Sequence, residues 1–100
     1  MKDMKLDNFS PHLNTKFLLK REPEGAAEAV EAELIEAIDL GSTPRQEQFS
    51  IVFRGPLAPE LEQAIYSVEH NELGTFDLFI VPFKKGQDGM YYEAIFNRPL

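Results

Sequence analysis

An all-β domain of about six antiparallel strands, forming a small barrel or sandwich, is the fold class this chain predicts, on three observations. Large apolar residues alternate with polar ones over four successive segments of the second half. The segments are separated by short stretches rich in Gly, Pro, Asn and Asp. No stretch there shows a long period of 3.6. A period of two places alternate residues on one side of a sheet, so each apolar set marks an inward face.

Taken in order, Phe9-Ser10-Pro11-His12-Leu13 reads as one helical turn. Ser10 suits a capping position and Pro11 suits the first helical position, where its missing N–H costs nothing. Phe9 and Leu13 would pin this segment to the core, and residues 1–8 read as a flexible lead-in to a single domain spanning 1–100. Lys16 to Glu22 predicts a strand with Phe17 and Leu19 inward, followed by turn chemistry at Pro23-Glu24-Gly25.

Residues 26–38 carry two patterns. Their Ala and Glu content favours helix, with Val30, Leu34, Ala37 and Ile38 as the stripe, and a helix here would make the fold α+β. Val30, Ala32 and Leu34 also alternate with Glu31, Glu33 and Ile35. We take the strand, because pairing with residues 16–22 readily overrides propensity. Gly41 to Gln46 is a polar loop. Phe49, Ile51 and Phe53 then alternate with Ser50, Val52 and Arg54, before Gly55-Pro56 ends the strand; Pro59 to Gln63 reads as a helical turn. Tyr66 and Val68 form the next inward set. His70 to Gly74 connects it to Phe76, Leu78 and Ile80. Asp88-Gly89 is a strong hairpin signal, leading into Met90, Tyr92, Ala94 and Phe96. Pro82 marks an edge or a bend. Phe79, Val81 and Phe83 add a second apolar set, so that strand is central, or its outer face is covered by the lead-in or a partner.

One hundred residues with 43% apolar content support one ordinary globular core. The formal net charge of −7 repels phosphate backbones, and the ten Lys and Arg are scattered, so nucleic-acid binding is not expected. The absence of Cys excludes disulfides and thiolate zinc sites. The start of the chain has no secretory apolar run, and no stretch reaches the length of a membrane span. A cytoplasmic protein without membrane contact is the expectation.

Catalytic constellations are sparse. His12 and His70 lack ligand spacing. Glu31 with Glu33, and Glu69 with Glu72, read as solvated pairs. Ser10, Ser42, Ser50 and Ser67 sit in no nucleophile elbow. Phosphate-loop, dinucleotide and calcium-loop patterns are missing, so no cofactor and no metal are expected. The reading leans away from an enzyme. The candidate partner-contact residues are Ser42, Thr43 and Arg45 in the polar loop, Arg54 at a strand end, and His70 in a turn. Exposed rings at Phe79, Phe83 or Tyr91 would suggest a protein interface.

Three stretches carry a resemblance: Leu6 to Phe17, Gln46 to Pro56, and Tyr92 to Asn97. They resemble an uncharacterised family of small bacterial proteins of about this length, whose members are often encoded near phage-tail-collar-like proteins. That resemblance implies an accessory or structural role in a tail-like or surface assembly and assigns no activity to any residue. Glu22 to Ala29 resembles the family least. The leading expectation is a non-catalytic protein-interaction module, with homodimerisation through an edge strand open. The alternatives are a small-ligand-binding barrel, or a small hydrolase using His70 with Glu69 or Glu93.

Overall fold

The computed structural model describes residues 5–21 and 29–99. It contains α1 (Leu6–Phe9), a 3₁₀ turn (Ser10–His12), and six strands: β1 (Lys16–Arg21), β2 (Ala29–Asp39), β3 (Gln46–Gly55), β4 (Ala64–His70), β5 (Gly74–Gly86) and β6 (Gly89–Pro99). All pairings are antiparallel, and the strand order β1-β2-β3-β6-β5-β4 closes on itself through β1 and β4. The expected antiparallel all-β class is therefore observed, as one closed sheet.

The inward faces are those the alternation predicts. Phe17, Leu19, Phe49, Ile51, Phe53, Tyr66, Val68, Phe76, Leu78, Ile80, Met90, Tyr92 and Ala94 are all buried in one cluster. Their packing stabilises the fold by removing apolar area from water, at about 25 cal/mol per Å². The interior of so narrow a ring is filled by rings and branched side chains.

Residues 29–39 form a strand, not a helix. Val30, Ala32 and Leu34 point inward, paired with β1 on one side and β3 on the other. A register shift between Leu34 and Glu36 inserts Ile35 as an extra residue, and the inward parity then moves from even to odd positions. Ala37 consequently packs on the core and Ile38 turns to solvent. The lead-in fixes the place of this bulge. Asn14 N–H donates to the Leu34 carbonyl (2.7 Å), and Leu34 N–H donates to the Thr15 carbonyl (3.0 Å). Asn14 adopts φ 67°, a left-handed conformation that Asn tolerates better than most residues.

Three local expectations are corrected. The N-terminal helical residues begin at Leu6, inside the segment read as lead-in, and the Ser10 hydroxyl donates back to the Leu6 carbonyl instead of capping a helix start. Leu13 lies exposed, leaving buried Phe9, with partly buried Leu6, to anchor the segment. The Phe9 ring sits 6.1 Å from Phe49, 5.9 Å from Phe76 and 5.4 Å from Phe96, across three strands. Pro59 to Gln63 is irregular, not helical. These residues lie in the connection from β3 to β4, which stand opposite each other in the ring, so the segment is stretched across one end. Leu61 N–H donates to the Tyr92 hydroxyl (2.9 Å), and the Tyr66 hydroxyl donates to the Glu62 carbonyl (2.5 Å). The turn expected at Pro23-Glu24-Gly25 lies outside the described residues.

Pro82 marks a bend: the β5–β6 register shifts between Pro82 and Lys84. Beyond Val81↔Glu93 no further β5–β6 pairs form. Among the described residues, Gly74–Ile80 pair only with β4, and Ala94–Pro99 pair only with β3. The two strands thus leave a seam at this end of the ring.

Candidate functional site

The ladder aligns an outward row of apolar side chains across most of the sheet. On one side of the seam, Ile38 pairs with Ser50 and Ser50 with Ile95. On the other, Ile65 pairs with Phe79. Val81↔Glu93 is the last β5–β6 pair, so Phe79 and Ile95 each lie two residues beyond it, flanking the seam from either strand. Ile38 is 41% exposed, Phe79 51%, Ile65 59% and Ile95 63%. Four large apolar side chains on four of five neighbouring strands, with buried Ser50 in the β3 position between Ile38 and Ile95, make an aligned band and not a scatter of single residues. Phe83 is also exposed, near Tyr91. The β2 bulge contributes to the row, since without it Ile38 would face inward.

Carboxylates border the row. The adjacent outward row runs Glu36, Val52, Glu93, Val81. Asp77 stands two residues from Phe79 on the same face. Among the described residues, Glu36, Asp77 and Glu93 make no ion pair with a cation of the chain.

The residues singled out from sequence fall in two places. Ser42, Thr43 and Arg45 occupy the β2–β3 loop, where Asp39 organises the chain. Its carboxylate accepts from Gly41 N–H (2.8 Å), Ser42 N–H (3.0 Å) and the Ser42 hydroxyl (3.1 Å). The two backbone donors hold the Asp39 carboxyl below its ordinary value. Gln48 N–H donates to Ser42 Oγ, and Arg45 N–H donates to Thr43 Oγ1. Arg54 lies at the far end of β3, about 30 Å along an extended chain from Arg45. It forks onto its own chain, with Nη2 2.9 Å from Glu33 and Nη1 3.4 Å from Asp88. The Tyr91 hydroxyl donates to Asp88 at 2.8 Å, which with Arg54 and Lys84 lowers the Asp88 carboxyl. Lys84 covers the Tyr91 ring at 4.8 Å.

His70 terminates β4 and is held on both nitrogens. Nδ1 accepts from Glu72 N–H (3.1 Å) and Leu73 N–H (3.3 Å), so the neutral ring carries its proton on Nε2 and donates to Thr15 Oγ1 at 3.0 Å. Thr15 in turn donates to the His12 carbonyl (2.6 Å). The ring lies 4.3 Å from Phe17 and 4.7 Å from His12. Burial, then the nearby His12, push the His70 imidazole below its ordinary value. The ring's hydrogen-bond partners are Thr15, Glu72 and Leu73, not Glu69 or Glu93, and Glu69 pairs with Lys20. Arg54 and His70 line two adjacent open clefts, of about 240 and 350 Å³, that share Lys16 and Glu31. No group of three or more His, Cys, Asp or Glu able to hold a metal ion occurs among the described residues. No helix of these residues is long and apolar enough to cross a membrane.

Sequence reading noticed Phe79 and Phe83 but missed Ile38, Ile65 and Ile95. Each follows an alanine and precedes Asp39, Tyr66 or Phe96, so nothing in its own strand sets it apart, and only the cross-strand register brings them into one row.

Fold and surface together define a small all-β domain with a filled interior and an apolar outer row. The chain belongs to the family described as domain of unknown function (DUF6916), whose model matches residues 4–96. Neither a curated protein nor a solved structure matches it.

Proposed function

We propose that this protein is a non-catalytic interaction module whose working surface is the outward row Ile38, Ile95, Phe79 and Ile65. The observation that carries the reading is the alignment of those exposed side chains on four strands, on a domain whose interior is already packed. Apolar surface of this kind, rimmed by charge, has the anatomy of a docking face. The polar groups at Arg54 and His70 are engaged by the chain's own carboxylates, backbone and hydroxyls, which supports assigning them to structure. An accessory role in a tail-like or surface assembly extends the same reading; only the family resemblance stands behind that extension.

Site-specific photo-cross-linking tests it. A cross-linker placed at Ile95 in the native cell is expected to give a discrete adduct with one protein, lost when Phe79→Lys is added. A cross-linker at the exposed Glu62 is expected to give none. No adduct at Ile95, or the same smear of adducts from both positions, overturns the reading.

A further inference from the structure

We propose that the occupant of this face is an extended segment of another protein, carrying alternate apolar and basic side chains, that adds as a strand to the free edge of β5. The inference rests on the docking role proposed above and goes further by naming the mode and the chemistry of the partner. Among the described residues Gly74–Ile80 have ladder partners on β4 alone, and no other described strand pairs with their other edge. Exposed edges are usually blunted by Pro, by Lys or by a bulge. In β5 all three devices, Pro82, Lys84–Lys85 and the register shift, lie past Val81, in the part already paired with β6. Seven consecutive residues of the edge contain no Pro, so every backbone N–H is present to pair. The opposite side of the seam ends in Pro99, which has no N–H, and so β5 is the better template. From within, Phe9 bridges Phe76 and Phe96, so the seam is backed by aromatic rings and a guest strand would not open the core.

The outward side chains beside this edge select the guest. Phe79 and Ile95 offer apolar contact. Asp77, Glu93 and Glu36 offer negative charge that no cation of the described chain neutralises. Strand addition takes affinity from backbone bonds and specificity from alternate side chains: in a guest alternating Lys or Arg with branched apolar residues, the basic set faces outward, its charges meeting Asp77 and Glu93 and its stems lying on Phe79 and Ile95, while the apolar set faces inward toward Phe76 and Phe96. The net charge of −7 works against a second copy of this chain as the occupant.

The probe is a capped peptide of alternating Lys and Val, about ten residues long, enough to cover a strand. Its charge-inverted Glu-Val counterpart is the control, and the readout is residue-resolved amide hydrogen exchange on the full chain. Lys-Val peptide is expected to slow exchange at alternate positions of Thr75–Ile80. Asp77→Lys and Phe79→Lys are each expected to weaken that effect roughly tenfold, as loss of a central contact does. Both side chains are exposed, and thermal melts confirm that the variants fold. Three results overturn the inference: no protection at millimolar peptide, equal protection by Glu-Val peptide, or protection confined to residues outside β5. Protection that rises with protein concentration alone identifies a second copy instead and also overturns it. If the Ile95 cross-link persists while Lys-Val peptide leaves β5 unchanged, the docking face stands and the strand guest falls; if the cross-link fails too, both fall.

Discussion

Acidification from about pH 7.5 to about pH 5 will weaken this fold through His70, because only the neutral ring fits its place. Nδ1 accepts two backbone N–H groups and Nε2 donates to Thr15. A proton added at Nδ1 faces those two donors, on a ring whose centre stands 4.7 Å from that of His12. Glu72, 3.7 Å from His12, offsets part of that cost. Lys16, Glu31 and Glu69 line the adjoining cleft. The folded value lies below 6.5, so the His70 contribution is whole above the unfolded value and is lost as pH falls through the folded one. The carboxyls of Asp39 and Asp88, held below the ordinary carboxylate range, titrate below this window. Removing the ring forfeits three hydrogen bonds of ordinary net worth, so His70→Ala costs about 3 kcal/mol at neutral pH. His70→Asn can keep an acceptor near the Nδ1 position and is expected to lose about half of that. Urea unfolding followed by circular dichroism, on wild type and both variants across the pH range, reads the effect. Wild type loses more stability on acidification than either variant. Equal losses in all three would refute the assignment of the neutral, doubly accepting ring.

Three further outcomes follow from the packing. Phe9→Ala removes the ring that joins β3, β5 and β6 and is expected to cost about 3–5 kcal/mol by thermal or chemical unfolding. Gly89→Ala places a Cβ 2.4 Å from the Gly55 carbonyl oxygen at a φ of 149°, so the hairpin must shift. A loss of at least about 2 kcal/mol, seen as a lower Tm, is expected there. Tyr92→Phe leaves the Leu61 N–H without its acceptor, for a cost of about 1–2 kcal/mol and faster exchange of that amide.

How much of this was legible varies with the physical range of each feature. Burial of one sheet face forces a period of two, and that period is local. Phe49, Ile51 and Phe53, or Phe76, Leu78 and Ile80, therefore announced their inward face without any knowledge of their neighbours. The strand at Ala29–Asp39 opposed its own helix propensity, and pairing on both edges prevailed. The closure of β1 on β4 and of β3 on β6 left no mark in any single segment, because both contacts join strands far apart in sequence. The turn at Leu6–Phe9 was missed for a related reason: its principal anchor is one ring in a space that three distant strands create.

The exposed apolar row was the least legible feature, and the β2 bulge shows why. Strict alternation from Val30 through Leu34 would carry Ile38 into the core. A single inserted residue, placed where Asn14 and Thr15 engage Leu34, sends it outward beside Ser50. A period read from one strand cannot contain that event, since its cause lies on another segment. The same holds at the seam. Phe79 alone looks like an ordinary exposed ring, and Ile95 like an ordinary exposed aliphatic. They become a site only because β5 and β6 stop pairing at Val81↔Glu93 and leave both residues beside an unpaired edge. The bend that Pro82 makes readable in the sequence is therefore the nearest sequence signal to the site. A residue that cannot donate to a ladder marks where this sheet changes register, and the strand with the free edge begins on its N-terminal side.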